Sequence, residues 1–283
     1  MLHDPAAPSE PPPGPPWDAP LEDAPLAFLD FELTGLRPET DRVIEVCLER
    51  VRGAAVEARV ASLVRPDPLV FGNAQIHGID AREIASAPTF AELAPKMIEA
   101  LSGAVLVAHA AAHDVAFLAS ELARAKIPFQ RPAYVDTLSL SRRAFALKSH
   151  GLGSLCKSLG IPHDRLHRAE ADVAAMRAVF AEIVRVLRPA TPRDLWHVRV
   201  GERHARPEVL AAAARAVEHG DDVIVRYRPS HRGPEDLAMR LTAVRTDLDP
   251  PRVLGYLLAS RSRRELRADR ILAILAGPAG ATG

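Results

Sequence analysis

The chain has 283 residues, 48% of them hydrophobic and 25% charged, with a formal net charge of zero. That balance reads as a soluble globular protein of one large or two small domains, and it argues against a disordered chain or a uniformly basic nucleic-acid binder. Two cysteines, Cys47 and Cys156, exclude a disulfide framework and a cysteine metal motif and fit a reducing cytoplasm. No basic segment leads into an apolar stretch as in a signal peptide, and no run approaches the roughly 18 to 20 apolar residues of a membrane span.

Residues 1 to about 24 contain Pro11, Pro12, Pro13, Pro15 and Pro16 and few large aliphatics, which predicts a disordered leader. Leu26 to Phe31 is an apolar run closed by Thr34-Gly35, a buried strand ending in a turn. Arg42 to Arg52 alternates Val43, Glu45, Cys47, Glu49 and Val51 against Ile44, Val46 and Leu48. Val56 to Val64 follows after Gly53, so the pair predicts a β-hairpin. Phe90 to Leu101 reads as a helix, with Pro95 in its first turn or at a bend. Ala104 to Ala108 is a second buried strand and Asp114 to Lys126 a helix. Tyr134-Val135 is a short strand, followed by helical segments to about Leu147. Gly151 to Leu159 is a short helix stopped by Gly160-Ile161-Pro162, and Arg168 to Leu187 is a long amphipathic helix. Three antiparallel strands, then alternating strands and helices, predict an α/β fold over 25–188 with a mixed sheet flanked by helices.

A linker is expected over 189–204, where Pro189 and Pro192 break the pattern. Beyond it come a helix at Val209 to Val217 and strands at Val223 to Arg228, Ala238 to Val244, Leu254 to Ala259 and Ile271 to Leu275. They predict a small β-rich domain over 205–283. Its Arg226, Arg228, Arg232, Arg240 and Arg245, with Tyr227, are candidates for a nucleic-acid groove, although alternating arginines also make the wet face of a sheet.

Chemistry concentrates in three separated segments. Asp30 and Glu32 lie two apart at a strand end and so point to one face, where they repel unless a cation sits between them. Asp114 is preceded by Val107-Ala108-His109-Ala110-Ala111-Ala112-His113, and it suits both a helix N-cap and a metal ligand. Asp172 falls early in the last long helix. His167 stands five residues earlier, about 140° round a helix, so it belongs on the preceding loop rather than on the same helical face. Four carboxylates and one histidine are what a two-metal phosphodiester hydrolase needs: oxygen ligands for hard ions and a group that can take a proton from water.

These segments, Asp-x-Glu-x-Thr-Gly at Asp30, the Val-Ala-His run before Asp114, and His-x4-Asp at His167, resemble the motifs of the DnaQ-like (DEDDh) 3′→5′ exonucleases over residues about 25 to 187. The resemblance implies a ribonuclease-H-like sheet and two Mg²⁺ or Mn²⁺ ions on Asp30, Glu32, Asp114 and Asp172, with His167 as general base. It further implies that Thr34, Gly35, Leu36 and His109 contact the substrate. Its expected substrates are single-stranded or frayed 3′ ends of DNA, with RNA the alternative, and no polymerase or repair partner is specified. The family pattern has asparagine and phenylalanine where this chain has Ala110 and His113, and His113 is expected to be core filler. Ile76-His77-Gly78-Ile79 resembles a His-Gly-Ile loop of these enzymes and is read as structural. Residues 205–277, through Gly255-Tyr256-Leu257-Leu258-Ala259 and Leu266-Arg267-Ala268-Asp269-Arg270-Ile271, resemble a WYL ligand-binding domain, with Gly255 in place of tryptophan. The rival reading is a nucleic-acid-binding or regulatory protein that uses this module beside a weakened nuclease.

Overall fold

The computed structural model describes residues 10–67, 78–79, 81–145, 147–163, 167–200, 205–229, 234–248 and 250–277. Residues 1–9 of the expected leader, Ile76 and His77 of the histidine loop, 201–204 of the expected linker, and Arg232 lie outside the described residues. The chain divides into two compact units. One takes residues up to Ser139, Ser149–Glu182 and Pro189–Arg193; the other takes Leu140–Lys148, Ile183–Arg188 and residues from Asp194 onward.

The first unit is built on a five-stranded sheet of order β3-β2-β1-β4-β5. Its strands are β1 (Leu26–Leu33), β2 (Val43–Arg52), β3 (Ala55–Leu63), β4 (Val105–Ala108) and β5 (Tyr134–Asp136). β1, β2 and β3 pair antiparallel, while β1, β4 and β5 run parallel. The helices are α1 (Ala81–Ala85), α2 (Phe90–Leu101), α3 (Ala112–Arg124), α4 (Thr137–Ala144), α5 (Leu152–Leu159) and α6 (Ala169–Leu187). This is the mixed α/β architecture expected from the sequence.

Period-two alternation in β1 sorts its side chains between two faces. Ala27, Leu29 and Phe31 join Leu48, Leu106, Met97, Phe117, Leu118 and Leu122 in one core beneath α2 and α3. Phe28, on the other face, meets Phe180 of α6 edge-on at 5.4 Å. α2 starts where it does because Thr89 and Glu92 form a capping box, with Glu92 accepting the Thr89 N–H at 2.7 Å. Pro95 lies inside that helix rather than in its first turn, so the bond to the Ala91 carbonyl is missing there.

The charged positions of β2 do not form a wet face. Glu45 and Glu49 are buried and paired to α6, Glu45 with Arg168 at 2.9 Å and Glu49 with Arg177 at 2.7 Å. A second buried pair ties the β1–β2 turn to α3. Arg42 donates to Glu121 through Nε at 2.8 Å and Nη2 at 3.0 Å, and Glu121 is only 2% exposed.

Two expectations give way. Residues 10–24 are not a disordered leader: Trp17 is 4% exposed, the Leu21 N–H donates to the Ala190 carbonyl, and the Arg193 guanidinium donates to the Pro11 and Pro12 carbonyls. One tryptophan supplies the apolar area that the composition lacks, and prolines still offer acceptors. The expected linker contains a helix, α7 (Pro192–Val200), with Leu195 and Trp196 buried. Pro192 opens it, a position where a missing N–H costs nothing.

The second unit pairs α8 (Pro207–His219) with an antiparallel sheet of order β10-β6-β7-β8-β9. Its strands are β6 (Asp222–Tyr227), β7 (Glu235–Arg245), β8 (Arg252–Leu257), β9 (Arg263–Arg267) and β10 (Ile271–Ala276). Val209, Ala213 and Ala216 of α8 pack on Val225, Met239, Leu241 and Val253. Gly255, where the WYL pattern has tryptophan, lies where any Cβ would strike the Arg240 carbonyl. Among the described residues no helix is long and apolar enough to cross a membrane.

The Arg42–Glu121 pair generates a stability prediction. Glu121→Ala leaves a buried guanidinium without its carboxylate and should destabilise the protein by about 3 to 5 kcal/mol. Urea denaturation of the two proteins checks this; a loss below about 1 kcal/mol would show that the pair does not hold the turn.

Candidate active site

The C-terminal ends of the parallel strands gather the acids. In register, Asp30 lies opposite Cys47 and Glu32 opposite Glu45, so both β1 acids share the face that packs under α6. The turn after Glu32 is fixed by its backbone. The Thr34 N–H donates to the Arg42 carbonyl at 3.0 Å, and the Arg42 N–H donates to Thr34 Oγ1 at 2.9 Å. The Thr34 N–H and one lone pair of its hydroxyl are thus committed to the turn, which leaves its O–H and its carbonyl. A Cβ at Gly35 would displace the Asp41 carboxylate, which here accepts the Arg37 N–H at 2.8 Å. Leu36, next along, is 76% exposed.

Asp114 stands in the first turn of α3 and does not cap it. The residue at the cap is Ala111, which has no side-chain acceptor. β5 braces the residues just before the helix instead: Asp136 Oδ1 accepts the Ala110 N–H at 2.9 Å and the Ala111 N–H at 3.4 Å. Asp114 is left buried, with the Phe31 backbone hydrogen-bonded to its carboxylate. Ala110, where the family pattern has asparagine, adopts φ +63°. Asparagine tolerates that left-handed conformation, and alanine is strained by about 1 to 2 kcal/mol. His113 packs edge-on against Phe117 at 5.0 Å, and burial lowers its pKa, which makes it the core filler expected. His109 Nδ1 is 2.9 Å from Thr137 Oγ1, linking β4 to α4 rather than reaching outward.

The start of α6 is held by Glu45, which accepts the Ala169 N–H at 3.2 Å and grips Arg168 through both carboxylate oxygens. His167 precedes the helix with φ +62° and is exposed. Among the described residues, Glu32, His167 and Asp172 bring one ligand atom each within 4.8 Å of one another. Asp172 Oδ1 lies 2.5 Å from Nε2 of a second histidine, His163.

Charge crowding defines this cluster electrically. Burial, then Asp114, Asp172, Glu32 and Glu45, push Asp30 well above the ordinary carboxylate range. Burial, Asp172 and Glu45 raise Glu32 to about 8, against a smaller opposing pull from Arg168. Burial raises Asp114 and Asp172 as well, although His163 and His167 oppose the shift at Asp172. Arg168, the cation named against Glu32, is already gripped by Glu45. An all-oxygen cluster that resists ionisation for want of counter-charge fits hard divalent cations.

Asp30, Glu32, Asp114 and Asp172 are thus coupled at one place with His167 beside them. The expected arginine groove is not an uncompensated surface. Arg226 is paired with Asp236 at 2.8 Å, Arg240 with Asp222 at 2.7 Å and Arg245 with Asp247 at 2.7 Å, while Arg228 donates to the Phe145 carbonyl. Sequence reasoning missed Asp136, Glu45 and His163. Asp136 had one signal, an acid at the end of a parallel strand, where α/β sheets place their sites. Glu45 and His163 had none, because each acts through a contact distant in sequence or around a turn.

The chain belongs to the RNase_T exonuclease family, whose model matches residues 27–180. It is similar to the PolC-type DNA polymerase III of Thermotoga maritima, 30% identical over 173 residues that make up 60% of this chain and 13% of that protein. It is 28% identical over 182 residues to the 3′-5′ exonuclease DinG of Bacillus subtilis, covering 63% of this chain and 20% of that protein. The match thus spans a fifth or less of the length of these relatives. A solved structure of exonuclease I shares the fold, with a TM-score of 0.53 at 15% identity over 90% of this chain and 65% of that one.

Two predictions come from this geometry. Ala110→Asn, which relieves the left-handed strain, should stabilise the protein by up to about 1 kcal/mol; an unchanged or lower melting temperature contradicts the strain. The second concerns pH. Glu32 has a folded pKa of about 8, above an unfolded value of about 4.3. Its stabilising contribution is therefore complete below the unfolded value and is lost as pH rises toward 8. In EDTA, the melting temperature should fall between about pH 5 and 8, and Glu32→Gln should flatten that fall. A melting temperature that holds steady or climbs over the same range rules this out.

Proposed function

We propose that this exonuclease-family chain is a DEDDh-type 3′→5′ exonuclease that removes nucleoside 5′-monophosphates from nucleic-acid 3′ ends, with DNA preferred over RNA. The observation that carries the reading is the gathering of four carboxylates, Glu32 and Asp114 buried and Asp30 and Asp172 half-buried, all raised in pKa, with an exposed histidine beside two of them. Polarity and DNA preference take their support from similarity to a 3′-5′ exonuclease and a DNA polymerase.

Asp30, Glu32, Asp114 and Asp172 would hold two divalent ions, Mg²⁺ or Mn²⁺. Bound there, such ions activate water and neutralise charge on the leaving 3′-oxygen. His167 supplies what carboxylates committed to metals cannot, a basic nitrogen on a solvent-facing turn. Its left-handed backbone turns it out of the path of α6. The Glu45–Arg168 grip braces the residue that follows His167, beside Glu32 and Asp172. Leu36 offers an exposed apolar face beside the site for a terminal base.

The second unit is proposed as a WYL-like module. Its five-stranded antiparallel sheet with α8 packed on it is compatible with a small β-rich binding domain.

The test is degradation of an oligonucleotide labelled at its 3′ end, with DNA and RNA run side by side in Mn²⁺. Release of labelled mononucleotide from the first turnover, stopped by EDTA, is the expected result. His167→Ala should lower kcat by about 10² to 10⁴ while Mn²⁺ binding persists. Internal cleavage, or full activity in the variant, would remove the reading or the base, respectively.

A further inference from the structure

A histidine outside the five-residue site is built around one of its carboxylates. α5 ends at Gly160, whose φ of +69° lets its N–H reach back to the Cys156 carbonyl. The Ile161 N–H bonds the same carbonyl at 2.9 Å. Pro162 keeps the helix from resuming. The chain thereby delivers His163 to the first turn of α6. Its side chain is 5% exposed, and its Nε2 lies 2.5 Å from Asp172 Oδ1. Its Nδ1 is buried and has no hydrogen-bond partner among the described residues.

An imidazole buried with one nitrogen unpartnered is less favourable than an aliphatic chain of the same size unless the other nitrogen makes a strong bond. Here that bond goes entirely to Asp172. The carboxylate lies within the first turn of α6, where its short side chain could otherwise adopt more than one rotamer. The His167 backbone also bonds this carboxylate, so Asp172 is held from two sides of the turn. Side chains that hydrogen-bond a ligating carboxylate restrict its orientation, and removing one costs metal affinity more than it costs the fold.

We propose that His163 is a positioning residue: by binding Asp172 Oδ1 it fixes the carboxylate and leaves the other oxygen for a divalent cation shared with Asp30, Glu32 and Asp114. This inference rests on the cation-binding part of the proposed function. It assigns His163 no contact with substrate and separates it from His167, whose ring is exposed.

The experiment titrates Mn²⁺ calorimetrically into the metal-free full chain and its His163→Leu and His163→Gln variants. Leucine fills the pocket without a donor, and glutamine retains an N–H near the position of Nε2. H163L should bind Mn²⁺ about 10- to 100-fold more weakly, and H163Q should recover most of that affinity. On the 3′-labelled oligonucleotide, the Mn²⁺ concentration for half-maximal rate should rise in parallel for H163L, with kcat at saturating Mn²⁺ little changed. If H163L does not fold, H163Q against wild type still decides the matter, since a donor-bearing variant that binds as weakly as a lost ligand overturns the role of the hydrogen bond. Equal Mn²⁺ affinity in wild type and H163L, with only a lower melting temperature in the variant, would make His163 a packing residue. Wild-type protein that binds no Mn²⁺ would overturn the cation site itself, and this inference with it.

Discussion

Burying several like charges in one place is the constraint on which the first unit turns. Coulomb repulsion between carboxylates grows as water is excluded, and the groups respond by holding protons. Asp30 shows this most strongly, with burial as the main cause and four neighbouring acids adding to it. A fold selected for stability alone would replace such a cluster with aliphatics. β1 presents Asp30 and Glu32 between the buried Phe28 and the turn at Thr34, a placement that packing alone does not favour.

Acids just outside the cluster are treated differently. Glu45, Glu49 and Glu121 are as buried as Glu32, yet each has an arginine: Arg168, Arg177 with Arg59, and Arg42 with Arg124. Those pairs dock α6 on β2 and close the β1–β2 turn on α3. They hold the backbone that brings Asp30, Glu32, Asp114 and Asp172 together. Arginine suits this work because its planar fork satisfies both carboxylate oxygens at once. Counter-charge is thus supplied where the fold needs rigidity and withheld where an external cation would enter.

Most strands and the major helices were legible from periodicity. Phe90–Leu101 has the same ends in sequence and structure, and β1, β2, β4 and β10 agree within about two residues. The catalytic candidates were legible because each falls in a short spaced motif. Features that depend on a single distant contact were not. Nothing near Trp17 in sequence reveals Arg193. β9 reads Arg-Arg-Glu-Leu-Arg and shows only Leu266 to the core, so an edge strand passes for a charged loop. The acids of β2 alternate like a solvent face and are in fact covered by α6. The two departures in the middle motif also needed the backbone: Ala110 is a matter of conformation and His113 one of packing. Neither removes a carboxylate, so both bear on stability before they bear on chemistry, which weakens the rival reading of a decayed nuclease.

The formal charge of zero is a sum over unlike parts: residues 194–283 carry 15 arginines against 12 acids, so the rest of the chain is acidic by the same margin. In the second unit Arg226, Arg240, Arg245 and Arg267 each face a carboxylate of their own. Such pairs fix strand register and edge geometry, while Arg261, Arg263 and Arg264, in the turn before β9 and at its start, are exposed and keep positive charge facing solvent. Divalent ions held by the carboxylate cluster, as proposed, would add the largest local positive charges of the first unit. Preference for a strand end would then come from that cluster, because the proposed ions would engage the terminal phosphodiester there.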